Sequence, residues 1–132
     1  MPQEGTIAVT EALLVVDLQN DFCSGGSLAV AGADAIVPIV NRLLERTAIR
    51  VLTQDWHPPG HLSFAANHPG AAPGDRAFIG GVEQSLWPTH CVQGSHGARF
   101  HPGLHEHRAD LILRKGVRAE VDSYSAFFEN DR

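Results

Sequence analysis

Positive charge is in short supply in this 132-residue chain: ten Lys and Arg stand against fifteen Asp and Glu, for a formal net charge of -5. With no basic run to neutralise phosphates, the composition argues against nucleic acid or an anionic membrane as the main partner. No apolar run approaches the ~20 residues that span a bilayer. Met1 to Thr10 also lacks the basic start and long apolar stretch of a signal peptide. We therefore expect a cytoplasmic protein acting on a small, neutral or modest-sized ligand. Cysteine is scarce too, limited to Cys23 and Cys91, and a cytosolic setting favours two free thiols over a disulfide. Internal repeats and low-complexity segments are absent. The length, with 43% hydrophobic residues, suits one domain with a single core, residues 1–132.

What the sequence does contain is three short apolar runs, each ending in a charge. Ala12 to Val16 runs into Asp17, Ile49 to Gln54 into Asp55, and Leu111 to Arg114 into Lys115. Such runs, without strict alternation, suit strands buried on both faces of a parallel sheet. Sites in these sheets lie beyond the carboxyl ends of the strands, where all three charges fall. Between the first two runs, Ile36, Ile39, Val40, Leu43 and Leu44 follow helical spacing. Pro38 fits the first turn and Asp34 is placed to cap the amino end, giving a right-handed βαβ crossover. Gln19 to Gly26 reads as a turn-rich loop that wraps a site.

From His57 to His105 the character changes. Fourteen of the twenty-one Gly and Pro residues lie here, and all eight histidines fall between positions 57 and 107. We expect a long stretch without regular structure, a feature that in a compact domain is either disordered or functional. Regular structure resumes near Asp110. The closing segment from Val117 carries an aromatic cluster of Tyr124, Phe127 and Phe128.

Asp55 and His57 are two residues apart, so on an extended segment their side chains share one side and form half of a metal site. His61, His68, His90, His96 and His101 are candidates for the next ligand, and a carboxylate with imidazoles suits Zn²⁺, Fe²⁺ or Mn²⁺. Equally, Asp55 could cap a turn beside a solvated His57. Asp17 and Lys115 are open in the same way: one reading is a structural ion pair, the other a tuned general base with a cationic partner. Trp87-Pro88-Thr89-His90-Cys91 offers an aromatic wall to a planar ligand, with Phe22 as the facing wall, or else ordinary core aromatics. Either cysteine, in these positions, reads more readily as a packing residue than as a nucleophile.

Taken in order, Val15 to Phe22, Gln54 to Pro58, Trp87 to Cys91, Arg114 to Gly116 and Asp122 to Phe128 resemble the nicotinamidase (pyrazinamidase-type) branch of the isochorismatase-like cysteine hydrolases. The resemblance implies a three-layer α/β/α fold with a mainly parallel sheet, and hydrolysis of nicotinamide to nicotinate and ammonia in NAD salvage. It implies Asp17 as general base and Lys115 as its catalytic partner. Asp55, His57 and His90 become ligands of one divalent metal, Zn²⁺ first with Fe²⁺ or Mn²⁺ as alternatives, and Phe22 and Trp87 line the substrate pocket. His61 matches a further ligand of some members, and Ser63 a contact to the metal through water. One departure stands out: family members carry their nucleophilic cysteine in a Gly-x-Ala-Thr-Asp-x-Cys type segment, which this sequence lacks. The chain thus resembles the amino-terminal two thirds of an enzyme and is expected to be inactive alone. The rest of the sheet and the thiol are expected as a separate piece, after a break following Arg132, or from a partner chain; homo-oligomers are also compatible. The rival readings are an amidase for another small amide and a non-catalytic module that binds a metal or ligand.

Overall fold

The computed structural model describes residues 11–132. Strand β1, Ala12–Val15, leads through a loop to helix α1, Val37–Arg46, and then to β2, Ile49–Asp55. A hairpin follows, β3 at Arg76–Ile79 and β4 at Val82–Ser85, before β5 at Leu111–Lys115. β2 lies between β1 and β5 in a parallel sheet, with Val15 beside Leu52 and Asp55 beside Lys115. The pairing of Asp55 with Lys115 puts the ends of both strands level, and Asp17 arrives two residues past the end of β1. The expected βαβ unit and the clustering of the three charges are both present. This is an α/β fold with a parallel sheet.

One face of the sheet packs well. Val37, Val40 and Leu44 of α1 close over Val15 and Leu52, with Phe100 and Leu104 from the later loops completing the core. Pro38 sits in the first turn of α1 as expected, where its missing N–H costs nothing. Asp34 does not cap the helix. It lies in a preceding 3-10 turn, Ala33–Ile36, and its carboxylate instead accepts from the N–H and Oγ–H of Ser24 and from His101 Nε2. The opposite face of the sheet departs from the expectation of burial on both sides. Leu14, Val16, Leu111 and Leu113 are all exposed there, Leu111 by 54%.

The stretch from His57 to His105 is more regular than its composition suggests. β3 and β4 pair antiparallel, Ile79 opposite Val82, around Gly80-Gly81, both at positive φ (60° and 84°). Two left-handed residues between short strands are what a tight hairpin turn demands, so the Gly pair was the available signal. Ile79 packs with Ala65 and Leu86 in a small second cluster. Tyr124, Phe127 and Phe128 do not cluster inward; all three are exposed. No helix among the described residues is long and apolar enough to cross a membrane.

Candidate active site

Asp17 occupies a strained position. Its φ is +50°, in the left-handed region that non-glycine residues avoid. The bend is held by its own N–H, which donates to Thr53 Oγ1 at 3.1 Å, while Thr53 Oγ–H donates back to Asp17 Oδ1 at 2.6 Å. Lys115 Nζ then joins the strand ends. It lies 2.8 Å from Asp17 Oδ2, contacts Asp55 Oδ1, and donates to Ser123 O at 3.1 Å. Three acceptors match the three protons of an ammonium, which lets a buried cation remain charged.

Burial draws the Lys115 pKa down, but the charges of Asp55 and Asp17 outweigh it and hold the ammonium above its usual value. Burial raises the Asp17 carboxyl, and the Asp55 charge raises it further, against the pull of Lys115. Asp55 goes the other way: burial is overcome by His57 and Lys115, and it stays ionised below the ordinary carboxylate range. The two neighbouring carboxylates are thus pushed apart, Asp17 towards binding a proton and Asp55 towards remaining an anion.

Beside Asp55 lie two imidazoles with their outer nitrogens already engaged. His57 Nδ1–H donates to Gly116 O at 2.8 Å, and His90 Nδ1–H donates to Pro88 O at 2.6 Å. In the neutral ring each Nε2 carries a lone pair, and these nitrogens face Asp55 Oδ2 from 3.5 Å and 3.8 Å. His57 Nε2 is the one fully buried side-chain polar atom among the described residues with no hydrogen-bond partner. An orphaned, buried lone pair beside an ionised carboxylate and a second imidazole fits a divalent cation, and carbonyl-anchored imidazoles are how such ligands are usually oriented. The close approach of His57 to the backbone requires glycine at position 116: its φ is +65°, and a Cβ there would run into the imidazole ring.

His61 and Ser63 are differently employed. His61 Nδ1 accepts from Ser63 Oγ–H at 2.7 Å and Ser63 N–H at 3.2 Å, and its Nε2–H donates to Val121 O at 3.2 Å. Both ring nitrogens are thus occupied. A second grouping of potential ligands, His57, His61 and Asp122, shares His57 with the first, but both His61 nitrogens are already engaged, by Ser63 and by Val121 O. The Asp55, His57 and His90 trio is the better cradle because its lone pairs are free. His68 and His101 are turned to other partners, Leu62 O and Asp34, and His96 is exposed.

The carboxylates and Lys115 open into a cavity of about 230 Å³ walled by Phe22, Leu28, Trp87 and Tyr124. Trp87 Nε1–H reaches Tyr124 Oη at 3.3 Å, and the two rings meet edge to face. The volume is below the ~300–1,000 Å³ usual for drug-sized ligands, and suits one small planar ring. Neither thiol lines it: Cys23 and Cys91 are buried elsewhere, and burial pushes both pKa values up. A larger hollow of about 500 Å³, bordered by Trp56, Arg99 and Arg114, has no comparable convergence of ionised groups.

The Isochorismatase domain family matches residues 11–131. The chain belongs to that family. A nicotinamidase of Acinetobacter baylyi is 54% identical over 92% of this chain and 56% of its own length. A solved nicotinamidase and pyrazinamidase of Acinetobacter baumanii superposes with a TM-score of 0.87 at 56% identity, over 91% of this chain and 58% of the other. A Pyrococcus horikoshii pyrazinamidase solved with zinc gives a TM-score of 0.67 at 38% identity, over 88% of this chain and 57% of the other. This isochorismatase-family chain spans a little over half the length of the relatives it matches.

Several residues of the site were not singled out from sequence. Thr53 had a signal, since it stands two before Asp55 on β2 and so faces the same way. Gln19 was read only as part of a loop, yet its fully buried amide brackets Asp55. Its Oε1 accepts from Asp55 N–H, and its Nε2 donates to Asp55 O, both at 2.8 Å. Leu28, Tyr124 and Asp122 reach the cavity only through the tertiary fold.

Proposed function

We propose that this chain carries the proton acceptor, cationic partner, metal ligands and ring pocket of an enzyme that hydrolyses nicotinamide to nicotinate and ammonia. The observation that carries this reading is Lys115 bridging Asp17 and Asp55 at the mouth of an aromatic cavity, next to an orphaned His57 nitrogen. The nicotinamidases among its relatives support the substrate, with pyrazinamide-like amides as near equivalents.

In this mechanism Asp17 takes the proton of a cysteine thiol supplied by the remainder of the domain. The sulfur bonds to the carboxamide carbon, the C–N bond breaks, and Asp17 returns the proton to the departing amine, which leaves as ammonia. Asp17 next accepts a proton from water as its oxygen attacks the thioester. The C–S bond then breaks and the thiol regains that proton. Lys115 keeps Asp17 oriented and offsets its charge. Asp55, His57 and His90 would hold one divalent cation, Zn²⁺ first and Fe²⁺ or Mn²⁺ next, a choice supported by the zinc in the Pyrococcus relative. When bound, the cation supplies a Lewis-acidic anchor for the pyridine nitrogen, directly or through water. Phe22 and Trp87 hold the ring between them.

The exposed Leu14, Val16, Leu111 and Leu113, and the edge of β1 that no described strand pairs, are surfaces the rest of such a domain would cover. A strand added beside β1 would bring a thiol close to Asp17. A second reading rests on the absence of any thiol at the cavity among the described residues: by itself the chain binds a metal and an aromatic ligand without turnover. Two measurements test these readings together. Ammonia release from nicotinamide by the chain together with the remainder of the domain supports the first; nicotinate binding with no ammonia release even then supports the second. Failure of both would remove the amide pocket altogether.

A further inference from the structure

The buried charges of the site do not balance until one more residue is counted. Two carboxylates, Asp17 and Asp55, face one ammonium, leaving one negative charge. A divalent cation among Asp55 and two neutral imidazoles turns that into one positive charge. Uncompensated charge in a buried site is costly. Asp122 is 4% exposed and lines the same cavity as Asp55, His90 and Lys115. Its carboxylate lies within 4.8 Å of the ligand nitrogens of both His57 and His61.

We propose that Asp122 is the second carboxylate of the metal centre, holding a water of the bound cation beside His57 and bringing the buried charge to zero. This rests on the reading of Asp55, His57 and His90 as ligands. The position is a built one. Asp122 N–H donates to Gln84 Oε1 at 3.1 Å, its carbonyl accepts from Asn130 N–H at 2.9 Å, and Oδ1 accepts from Ser123 N–H at 2.9 Å. Oδ2 has no hydrogen-bond partner among the described residues. An oxygen bound to the cation at about 2.1 Å and donating a short charge-assisted hydrogen bond of about 2.6 Å puts its acceptor carboxylate within about 4.7 Å of the ion. The β3–β4 hairpin serves the same centre, because Gln84, on β4, fixes the Asp122 backbone from across the fold.

The test is metal affinity in the purified protein as expressed, measured by competition of Zn²⁺ against a chromophoric chelator, with the visible spectrum of the Co²⁺-loaded protein alongside. Asp122→Asn, nearly isosteric, is expected to weaken Zn²⁺ by roughly 10–100-fold, as loss of outer-sphere partners does, and to shift the Co²⁺ bands. Asp122→Glu, which keeps the charge, is expected to recover part of the affinity. Asp122→Ser carries the same test if the Asn variant does not fold. Unchanged Zn²⁺ affinity and Co²⁺ bands in Asp122→Asn, with Asp55→Asn unable to bind, overturn the role of Asp122 alone. Wild-type affinity in Asp55→Asn overturns the metal site itself.

Discussion

The residues at the strand ends and those on the loops reach the same cavity by different physics. Asp17, Asp55 and Lys115 follow from a parallel register that places Asp55 beside Lys115, itself fixed by the apolar faces of β1, β2 and α1. His57, His90, Phe22, Trp87 and Asp122 sit on loops, where polar side chains hold the backbone in place of a ladder. Gln19 brackets Asp55, Gly116 O orients His57, and Asp21 Oδ2 accepts the N–H of Cys91 at 2.7 Å, next to His90. The charge-bearing half of the site therefore depends on hydrophobic burial, and the half that would hold metal and ring depends on side-chain hydrogen bonds.

The largest expected effect comes from removing the proposed proton acceptor. Asp17→Asn in the complete enzyme should lower kcat by about 10²–10⁴-fold while leaving Zn²⁺ content intact, read from steady-state ammonia release and metal analysis. Activity within tenfold of wild type would remove Asp17 from the role. The strand side is tested next by Leu52→Ala, beneath α1, which should cost about 2–5 kcal/mol in denaturant unfolding. Zn²⁺ affinity measured well below the unfolding midpoint should hardly change; a large loss there would mean that the two halves are not separable.

Gln19→Leu addresses the loop side. It orphans Asp55 N–H and Asp55 C=O, whereas Ala98 O keeps the donor Gln54 Nε2, so the cost should be about 1–3 kcal/mol. Zn²⁺ binding should weaken as well, and a variant with normal metal affinity would show that Asp55 needs no bracket.

The smallest effect is pH-dependent. Ser24, through its hydroxyl and its N–H, holds Asp34 at about 2, below its usual 3.8. A lowered carboxyl stabilises the fold fully above its unfolded value, and that contribution disappears as pH falls through the folded one. The stability difference between wild type and Asp34→Asn should thus be constant at neutral pH and vanish between 3.8 and about 2. A difference that persists at the acid end would assign Asp34 a role in packing rather than charge.

The same division explains what could be read from the sequence. β2 and β5 begin where their apolar runs begin and end on the charges that close them, because burial against a sheet leaves a pattern in consecutive residues. α1 was legible from its spacing, although Asp34 went to Ser24 and His101 instead of the helix end. Asp55 and His57 were visible as an i,i+2 pair, whereas His90 was settled only by resemblance. The hairpin was missed because its strands are four residues each, Arg-Ala-Phe-Ile and Val-Glu-Gln-Ser, too short to show a period. Asp122 left no local trace, since the contact that fixes it comes from Gln84, 38 positions away. The exposed sheet face lay beyond the reach of pattern, which reports what a strand can bury and not what lies against it.

Lys115 is the chain's only lysine, and it is 7% exposed with its ammonium protonated and held on three sides. Within this sequence amine-reactive reagents therefore find one lysine, and it reacts only when the strand ends come apart. Acylation of Lys115, followed by mass spectrometry, then works as an intrinsic clock for opening of the site. Its rate should slow when a metal or an aromatic ligand closes the cavity, with no label, tag or substitution introduced.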